Sequence, residues 1–184
     1  MRIRGGFRRL GQFAPGNITR CSLYRIGAVK IGKGVIIAKG VALGFGVNIG
    51  DNTKIERGVV IGDGTKVNTN VEICQRALIG PGSTVGNNAI IGRNTFLFNC
   101  IIGDHSIVEY GVIFTGSNKN WISIGKYCYI GIHVVLDNTG GIEIGDHVHI
   151  AGPSVGIWTH TSVYQCLSGD KPEDTTRKII RPED

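Results

Sequence analysis

The sequence predicts an all-β protein in which a parallel β-helix of about seven triangular coils occupies most of the chain. The first observation is a six-residue period in which every sixth position from Ile31 to Leu97 is Ile, Leu or Val. The second is a small or β-branched residue four places after each of these, as at Val35, Val41 and Val47. Positions i+4 and i+6 point to the same side of an extended chain, so both registers line one core.

The corners of the coils are predicted where Gly, Asn and Asp cluster. Position i+2 is polar in most units, as at Lys33 and Asp51, and such residues cannot face the core. Each unit is therefore a short strand plus a corner, where glycines such as Gly32 and Gly50 are expected to supply positive φ. If three units close one coil, equal corners stack at a spacing of eighteen residues, which is the spacing of Gly34, Asn52, Asn70 and Asn88.

The length and composition of the chain agree with a single compact domain. With 184 residues, 41% hydrophobic and only 7% aromatic, the chain can fill a narrow prism with aliphatic side chains. We divide it into an N-terminal basic arm and lead-in at 1–25, the β-helix at 26–161 and a C-terminal loop segment at 162–184. The five cysteines match no metal spacing. With no signal peptide or long apolar run in the sequence, a cytoplasmic location is predicted.

The first residues are basic. Four arginines lie within the first ten positions, and the formal net charge of the chain is +6. Their alternation with Ile3, Phe7 and Leu10 predicts one of two things: an amphipathic arm that makes peripheral contact with an anionic membrane or substrate, or a solvated leader before the first coil. Aromatic and basic residues form no platform pattern, so no nucleic-acid binding is predicted.

The period is interrupted twice. After Leu97 the pattern slips by one residue. Between Phe114 and Ile124 the chain is too long for one unit and too short for two, which predicts a protruding loop at 115–123. The loop either carries binding residues such as Lys119 or is a tolerated insertion.

The repeat [Ile/Leu/Val]-Gly-x-x-x-x, with a small residue at the fifth place, resembles that of the hexapeptide-repeat acyltransferases over about 26–161. Residues 124–137, 142–153 and 158–161 further resemble the sugar and polysaccharide O-acetyltransferases, which include the maltose and galactoside acetyltransferases. The resemblance implies a left-handed β-helix, although parallel crossovers are generally right-handed. It also implies acetyl-CoA as donor, a sugar or glycan as acceptor, and a homotrimer with active sites between subunits.

The resemblance assigns the general base to His160, the histidine that follows the last full unit. Acetyl transfer from a thioester to an alcohol requires removal of a proton from a hydroxyl of very high pKa, and a neutral imidazole near pH 7 is suited to this step. His160 also lies where the six-residue pattern stops, so it is not one more stacked corner residue. The alternative is an ordinary polar loop residue.

Four further residues are candidates for binding the acceptor. His133 stands where the resembled enzymes carry an asparagine, and a corner role is its alternative. Asp137 and Asn138, on the next corner, are candidates for hydrogen bonds to sugar hydroxyls, and Trp158 is the fourth candidate. No residue is assigned to coenzyme A.

The remaining histidines are predicted to be structural. His105 and His147 fall on the corner column that holds Asn88, and histidine is enriched at positive φ. His147 and His149 form a His-x-His pair. The three-histidine spacing of the zinc-binding γ-class carbonic anhydrases, which share this fold, is missing, so no metal is predicted.

The period is absent from 162 to 184. Residues 177–182 resemble the start of a further coil, and such coils carry much of the coenzyme A groove in the resembled family. We therefore expect either a fragment of a longer protein or a short protein that binds acetyl-CoA poorly or not at all. The predicted function is acetyl-CoA-dependent O-acetyl transfer to a sugar hydroxyl in polysaccharide or glycoconjugate biosynthesis. The alternative is a non-catalytic or truncated module for assembly or carbohydrate binding.

Overall fold

Three parallel sheets of seven strands each form the three sides of a prism. The structure is a computed structural model that describes residues 2–161 and 178–179. The strands follow one another around the prism, so each strand pairs with the strand three positions later in the chain. The predicted β-helix of about seven coils is thereby confirmed.

The strands of each side are as follows. Face A consists of β1 (Lys30–Ile31), β4 (Asn48–Ile49), β7 (Lys66–Val67), β10 (Thr84–Val85), β13 (Cys100–Ile102), β16 (Ile122–Ile124) and β19 (Ile142–Ile144). Face B consists of β2 (Ile36–Ile37), β5 (Lys54–Ile55), β8 (Glu72–Ile73), β11 (Ile90–Ile91), β14 (Ile107–Val108), β17 (Tyr129–Ile130) and β20 (His149–Ile150). Face C consists of β3 (Ala42–Leu43), β6 (Val60–Ile61), β9 (Leu78–Ile79), β12 (Phe96–Leu97), β15 (Ile113–Thr115), β18 (Val135–Asp137) and β21 (Gly156–Trp158). After the last coil come β22 (His160–Thr161) and β23 (Lys178–Ile179), which pair antiparallel.

The core is a column of aliphatic side chains enclosed by the three faces. On face C, Leu43 pairs with Ile61 and Ile61 pairs with Ile79, and all three are buried. The i+4 register is buried as well, and its polar members Thr53 and Thr65 donate their hydroxyls to carbonyl groups of the next coil. Both inward registers predicted from the period are therefore confirmed, except at Ile101, four residues after Leu97, which is exposed while Cys100 is buried in its place.

Each corner has two positions with different requirements: one adopts positive φ, and the other lies against the next coil. Positive φ occurs two residues after Gly32 and Gly50, at Gly34 (67°) and Asn52 (55°). The prediction that Gly32 and Gly50 supply positive φ was wrong. They are glycines because the next coil lies against them: a Cβ on Gly50 would lie 2.6 Å from the carbonyl carbon of Asn68.

One corner column carries a continuous stack of side chains. The Asn70 amide donates to Asn88 Oδ1 at 3.2 Å, and Asn88 Nδ2 lies 3.3 Å from His105 Nε2. The Tyr127 ring lies between those of His105 and His147, with centroid separations of 4.8 and 5.0 Å and nearly parallel planes. Both histidines have a φ of 59°. Their predicted structural place is confirmed, and Tyr127 is the member that the sequence pattern did not reveal.

The coils change length where the sequence period is interrupted. Val85 pairs with Ile102, which makes that coil one residue shorter than the eighteen-residue coils before it. In the next coil Cys100 pairs with Ile122, so residues 116–121 leave the prism as a loop between β15 and β16. The loop lies within the predicted range 115–123.

The N-terminal segment is helical. Helix α1 covers Arg2–Phe13 and helix α2 covers Asn17–Ile26. Helix α2 closes the first end of the prism: Tyr24 is fully buried with its hydroxyl donating to the carbonyl of Val41, and Cys21 is buried beside it. Helix α2 thereby covers a first coil that would otherwise expose its aliphatic core to water, whereas Leu10 and Phe13 of α1 are exposed.

Within the described residues, no helix combines the length and the apolar character needed to cross a lipid bilayer. Of the predicted C-terminal loop segment 162–184, only 178–179 are described. They form β23, whose pairing with β22 is antiparallel and so differs from the further parallel coil expected at 177–182.

Candidate functional site

The corner that follows face C brings Asp137 and His160 together. Asp137 ends β18, and His160 begins β22, just beyond the last strand of the same face. Nδ1 of His160 lies 2.9 Å from Oδ1 of Asp137. The Asp137 side chain is 4% exposed and the His160 side chain 20%. The pair is therefore a buried carboxylate beneath a partly accessible imidazole.

The turn after β18 holds this carboxylate in place. The backbone N–H of Thr139 donates to Asp137 Oδ1 at 3.0 Å. The Thr159 hydroxyl donates to the Asp137 carbonyl at 2.7 Å and accepts the Gly140 N–H at 2.7 Å. Because Thr159 immediately precedes His160, these bonds tie both members of the pair to the same turn.

The charge of Asp137 decides which ring nitrogen of His160 carries the proton between them. Burial raises the pKa of Asp137, but hydrogen bonds from Thr139 and His160 outweigh burial and hold the pKa below its ordinary value. Asp137 is therefore ionised at neutral pH and can only accept hydrogen bonds, so Nδ1 of His160 carries the proton between them. The Nε2 atom of a neutral imidazole in this orientation is free to accept a proton.

Asn138 connects the pair to the loop 116–121. Its amide donates to the Asn120 carbonyl at 2.7 Å, and the Asn120 amide donates back to the Thr139 carbonyl. Asn138 Oδ1 is buried and has no hydrogen-bond partner within the described part of the chain. It faces Gly116, whose φ is 112°, and a Cβ on Gly116 would lie 2.6 Å from it. The close approach of loop and turn requires glycine at this position.

A groove of about 630 Å³ lies along the same corner, one coil below the pair. Thr115, which lines it, is in register with Asp137, and Asn138 lines it directly, so groove and pair are contiguous. The groove has an apolar wall and a polar edge, formed by Phe96, Phe98 and Ile113 and by Asn99, Ser117 and Asn118. This combination of apolar walls and a few amide and hydroxyl groups is typical of small-molecule sites.

The two remaining candidates from the sequence occupy different places. Trp158 is in register with Asp137 one coil above and is 59% exposed, so it borders the pair. His133 lies on the preceding corner with a φ of 55° and places its ring edge-on to Tyr110. It precedes Asp137 by four residues, about 13 Å of extended chain. The structure thus gathers Asp137, Asn138 and Trp158 around His160 and leaves His133 apart.

Sequence reasoning missed two features of this corner. Asp137 was expected to bond sugar hydroxyls, whereas its carboxylate is buried and already bonded to Thr139 and His160. The contact has a sequence signal, because Asp137 and Trp158 hold equal places in successive coils and His160 follows two residues later. The groove had only an indirect signal, the shortened unit that begins with Phe98 after Leu97.

Nowhere in 2–161 or 178–179 do three His, Cys, Asp or Glu side chains gather closely enough to hold a metal ion. His147 belongs to the corner stack, and His149 lies beside Tyr129 on face B.

Comparison with known proteins finds similarity only among solved structures. No protein-family model matches the chain, and no curated protein matches it in sequence. The UDP-N-acetylglucosamine acyltransferase of Campylobacter jejuni is 16% identical over 68% of this chain, with a TM-score of 0.36. The corresponding enzyme of Francisella novicida is 18% identical over 79% of this chain and 71% of its own, with a TM-score of 0.39. A mutant GDP-perosamine N-acetyl transferase of Caulobacter crescentus, in complex with CoA and GDP-perosamine, is 16% identical over 91% of this chain and 66% of its own, with a TM-score of 0.33.

The first of these matches spans 64% of the Campylobacter jejuni enzyme. At such identities and TM-scores these likenesses assign neither a family nor a reaction to this chain.

Proposed function

We propose that this chain is an acetyl-CoA-dependent O-acetyltransferase that acts on a sugar hydroxyl, with His160 as the general base and Asp137 as its positioning residue. The observation that carries the proposal is the 2.9 Å contact between His160 Nδ1 and the buried Asp137 carboxylate. A histidine oriented by a buried carboxylate is a recurring arrangement for proton abstraction from a hydroxyl.

The orientation of the imidazole supports this role. Because Asp137 holds the proton on Nδ1, the Nε2 lone pair of His160 is left for the acceptor hydroxyl. The acceptor oxygen attacks the thioester carbonyl carbon as its proton passes to Nε2. The carbon–sulfur bond then breaks, and the leaving thiolate takes that proton, giving an acetyl ester and a free thiol. His160 ends the cycle neutral, and Asp137 stays ionised throughout.

The groove beside the pair supports a substrate of moderate size. Its apolar wall suits the nonpolar face of a sugar ring or an aliphatic segment, and Asn99, Ser117 and Asn118 offer hydrogen bonds to hydroxyls or amides. We place part of the substrate there, with Trp158 on the other side of His160. The predicted acceptor contact of His133 concerns a different corner and stays a separate prediction.

A homotrimer is part of the proposal. The outward side chains of face C are apolar in every coil with a side chain there: Ala42, Val60, Leu78, Phe96, Ile113 and Val135. Those of face A are mostly polar: Lys30, Asn48, Lys66, Thr84, Ile101, Ser123 and Glu143. A continuous apolar face on one side of a solenoid is typical of an interface, and His160 lies at its edge. Phe96 and Ile113 belong both to this face and to the groove, so in the proposed trimer the groove lies beside the neighbouring subunit.

Light scattering tests this assembly. Val60→Glu on face C is expected to dissociate the trimer, whereas Asn48→Glu on face A is the matched control and is expected to leave it intact. A wild-type chain that is monomeric at micromolar concentration would contradict the trimer.

The catalytic proposal is tested by release of free thiol from acetyl-CoA with a panel of sugars. We expect His160→Ala to lower turnover roughly 10²- to 10⁴-fold while acetyl-CoA binding stays nearly unchanged. His147→Ala is the matched control, because it removes the same side chain from a corner stack away from the pair. Equal losses in both variants, or full turnover in His160→Ala, would contradict the assignment. No turnover of the wild type with any sugar would favour the binding-module alternative.

A further inference from the structure

The N-terminal helices present apolar side chains to solvent. On α1 the exposed positions Gly6, Arg9, Leu10 and Phe13 follow helical spacing and form one stripe, in which Leu10 is 59% and Phe13 68% exposed. On α2, Ile18 is 83% exposed. Leu10, Phe13 and Ile18 surround the short connection between the two helices. We call them the cap cluster.

The buried sides of the helices show which way the cap cluster points. Tyr24 and Cys21 of α2 are buried against the first coil, and Gly11 of α1 packs on the Tyr24 ring. Asn17 bonds the backbone of Val35 and Ile37 on that coil. The opposite sides of both helices therefore face away from the end of the prism.

The charge of this end is one-sided. The first fifty residues contain nine Lys and Arg and no Asp or Glu, whereas the rest of the chain contains eleven Lys and Arg and fourteen Asp and Glu. Arg9 lies in the exposed stripe of α1, and Arg25 and Lys30 are exposed near the end of α2. The positive charge of the protein is thus concentrated around the cap cluster.

We propose that helices α1 and α2, together the N-terminal cap, dock on an anionic lipid surface. The cap cluster inserts between headgroups, and the surrounding Arg and Lys residues pair with lipid phosphates. Exposed Leu, Phe and Ile on an amphipathic helix gain free energy by leaving water, and basic residues beside them add attraction to anionic lipids. Neither contribution needs a preformed pocket.

The same observations disfavour other occupants. A second copy packed end to end would oppose two strongly basic surfaces. Nucleic acid would use the basic residues but would leave Leu10 and Ile18 unused, since single-strand binding relies on aromatic stacking.

Docking through the cap leaves the candidate site accessible. Asp137 lies on β18, five coils from β3 in the first coil of face C, or about 24 Å at ordinary strand spacing. The groove and His160 therefore stay in solution when the cap is bound. The inference rests on the cap alone and does not depend on the proposed reaction.

Co-sedimentation of the full chain with lipid vesicles tests the proposal. Vesicles of phosphatidylcholine alone are compared with vesicles that also contain phosphatidylglycerol. We expect binding at least about tenfold tighter with the anionic lipid, weakened by added salt because charges separated by more than the Debye length are screened. Absence of binding to the anionic vesicles at physiological ionic strength would overturn the proposal.

Two pairs of variants separate insertion from charge. Phe13→Ser with Ile18→Ser should weaken binding to anionic vesicles about tenfold or more, whereas Ile90→Ser with Ile101→Ser, two exposed isoleucines elsewhere, should not. Arg9→Glu with Lys30→Glu should weaken it as well, and Lys66→Glu with Lys126→Glu controls for the equal change in net charge.

Other outcomes identify a different occupant and overturn the proposal. Equal losses in test and control variants would mean nonspecific adsorption. If duplex DNA displaces the chain from vesicles at a lower concentration than soluble anionic lipid does, the occupant is nucleic acid. Light scattering that shows self-association lost in the Phe13→Ser and Ile18→Ser variant would indicate a second copy. If that variant unfolds, the lipid and salt dependence of the wild type and the Arg9→Glu variant decide.

Discussion

Two sets of histidines in this chain have opposite surroundings. His105 and His147 occupy a corner inside the repeat, have positive φ and stack against Tyr127. His160 lies just past the last strand of face C, and its ring contacts a buried carboxylate. The same side chain therefore supports backbone geometry in the coils and is available for proton transfer beyond them. The position relative to the repeat, and not the residue type, separates the two roles.

Within the coils, we expect the effect of a substitution on stability to depend on whether the side chain points into or out of the prism. Ile61→Asp places a carboxylate between Leu43 and Ile79 in the core, and we expect it to lower the free energy of unfolding by about 3–5 kcal/mol, enough to unfold much of the protein. Lys66→Asp is the outward control and should change it by less than about 0.5 kcal/mol. Thermal unfolding measures both, and equal effects would contradict the inward register.

Beyond the coils, the largest effect is expected at the carboxylate that orients His160. Asp137→Asn keeps the shape but offers the imidazole an amide, so Nδ1 is no longer required to carry the proton. We expect kcat to fall roughly 10²-fold or more, with little change in KM for acetyl-CoA. A change confined to KM, or to thermal stability, would show that Asp137 supports structure and does not position His160.

Inside the repeat, His147 should matter for stability and not for turnover. His147→Ala removes the ring that stacks on Tyr127 and places alanine, which tolerates a φ of 59° poorly, at the corner. We expect the free energy of unfolding to fall by about 1 kcal/mol. His147→Asn is the matched control, because asparagine accepts this φ, as at Asn52 and Asn70 in the same column. Chemical denaturation distinguishes them, and an equal loss in both would assign the effect to the stack instead of the backbone.

The smallest expected effect is the acid sensitivity of the pair. The pKa of Asp137 is lower in the folded chain than its ordinary value, so ionisation of Asp137 stabilises the fold above about pH 4. This contribution is lost as pH falls through the folded-state pKa. The difference in melting temperature between wild type and Asp137→Asn should therefore be constant near neutrality and shrink below about pH 4. A difference that grows in acid would mean that the pKa shift has the opposite sign.

Much of the fold was predictable because the same six-residue pattern recurs in coil after coil. Both inward registers, the number of coils and the corner places of His105 and His147 follow from periods of six and eighteen residues, since the side-chain direction alternates along a strand. The helices α1 and α2 were not predicted. Their reason is the open end of the prism, which appears only when the coils are assembled.

The candidate site was predictable in its residues but not in their contacts. His160, Asp137, Asn138 and Trp158 were all singled out, yet Asp137 was expected to bond a sugar and in fact contacts His160. His133 was placed with them, although the length of β18 carries it to another corner.

The sequence by itself determined the three-sided solenoid, because a six-residue period leaves few ways to bury the same aliphatic positions in every coil. Only the tertiary structure decided which glycines are required by contact between coils, which end of the prism the helices cover, and which carboxylate meets His160. The physical reason is the distance in the chain. His160 and Asp137 are separated by more than a full coil, and their 2.9 Å contact exists only once the turn after β18 and the segment after β21 share one corner.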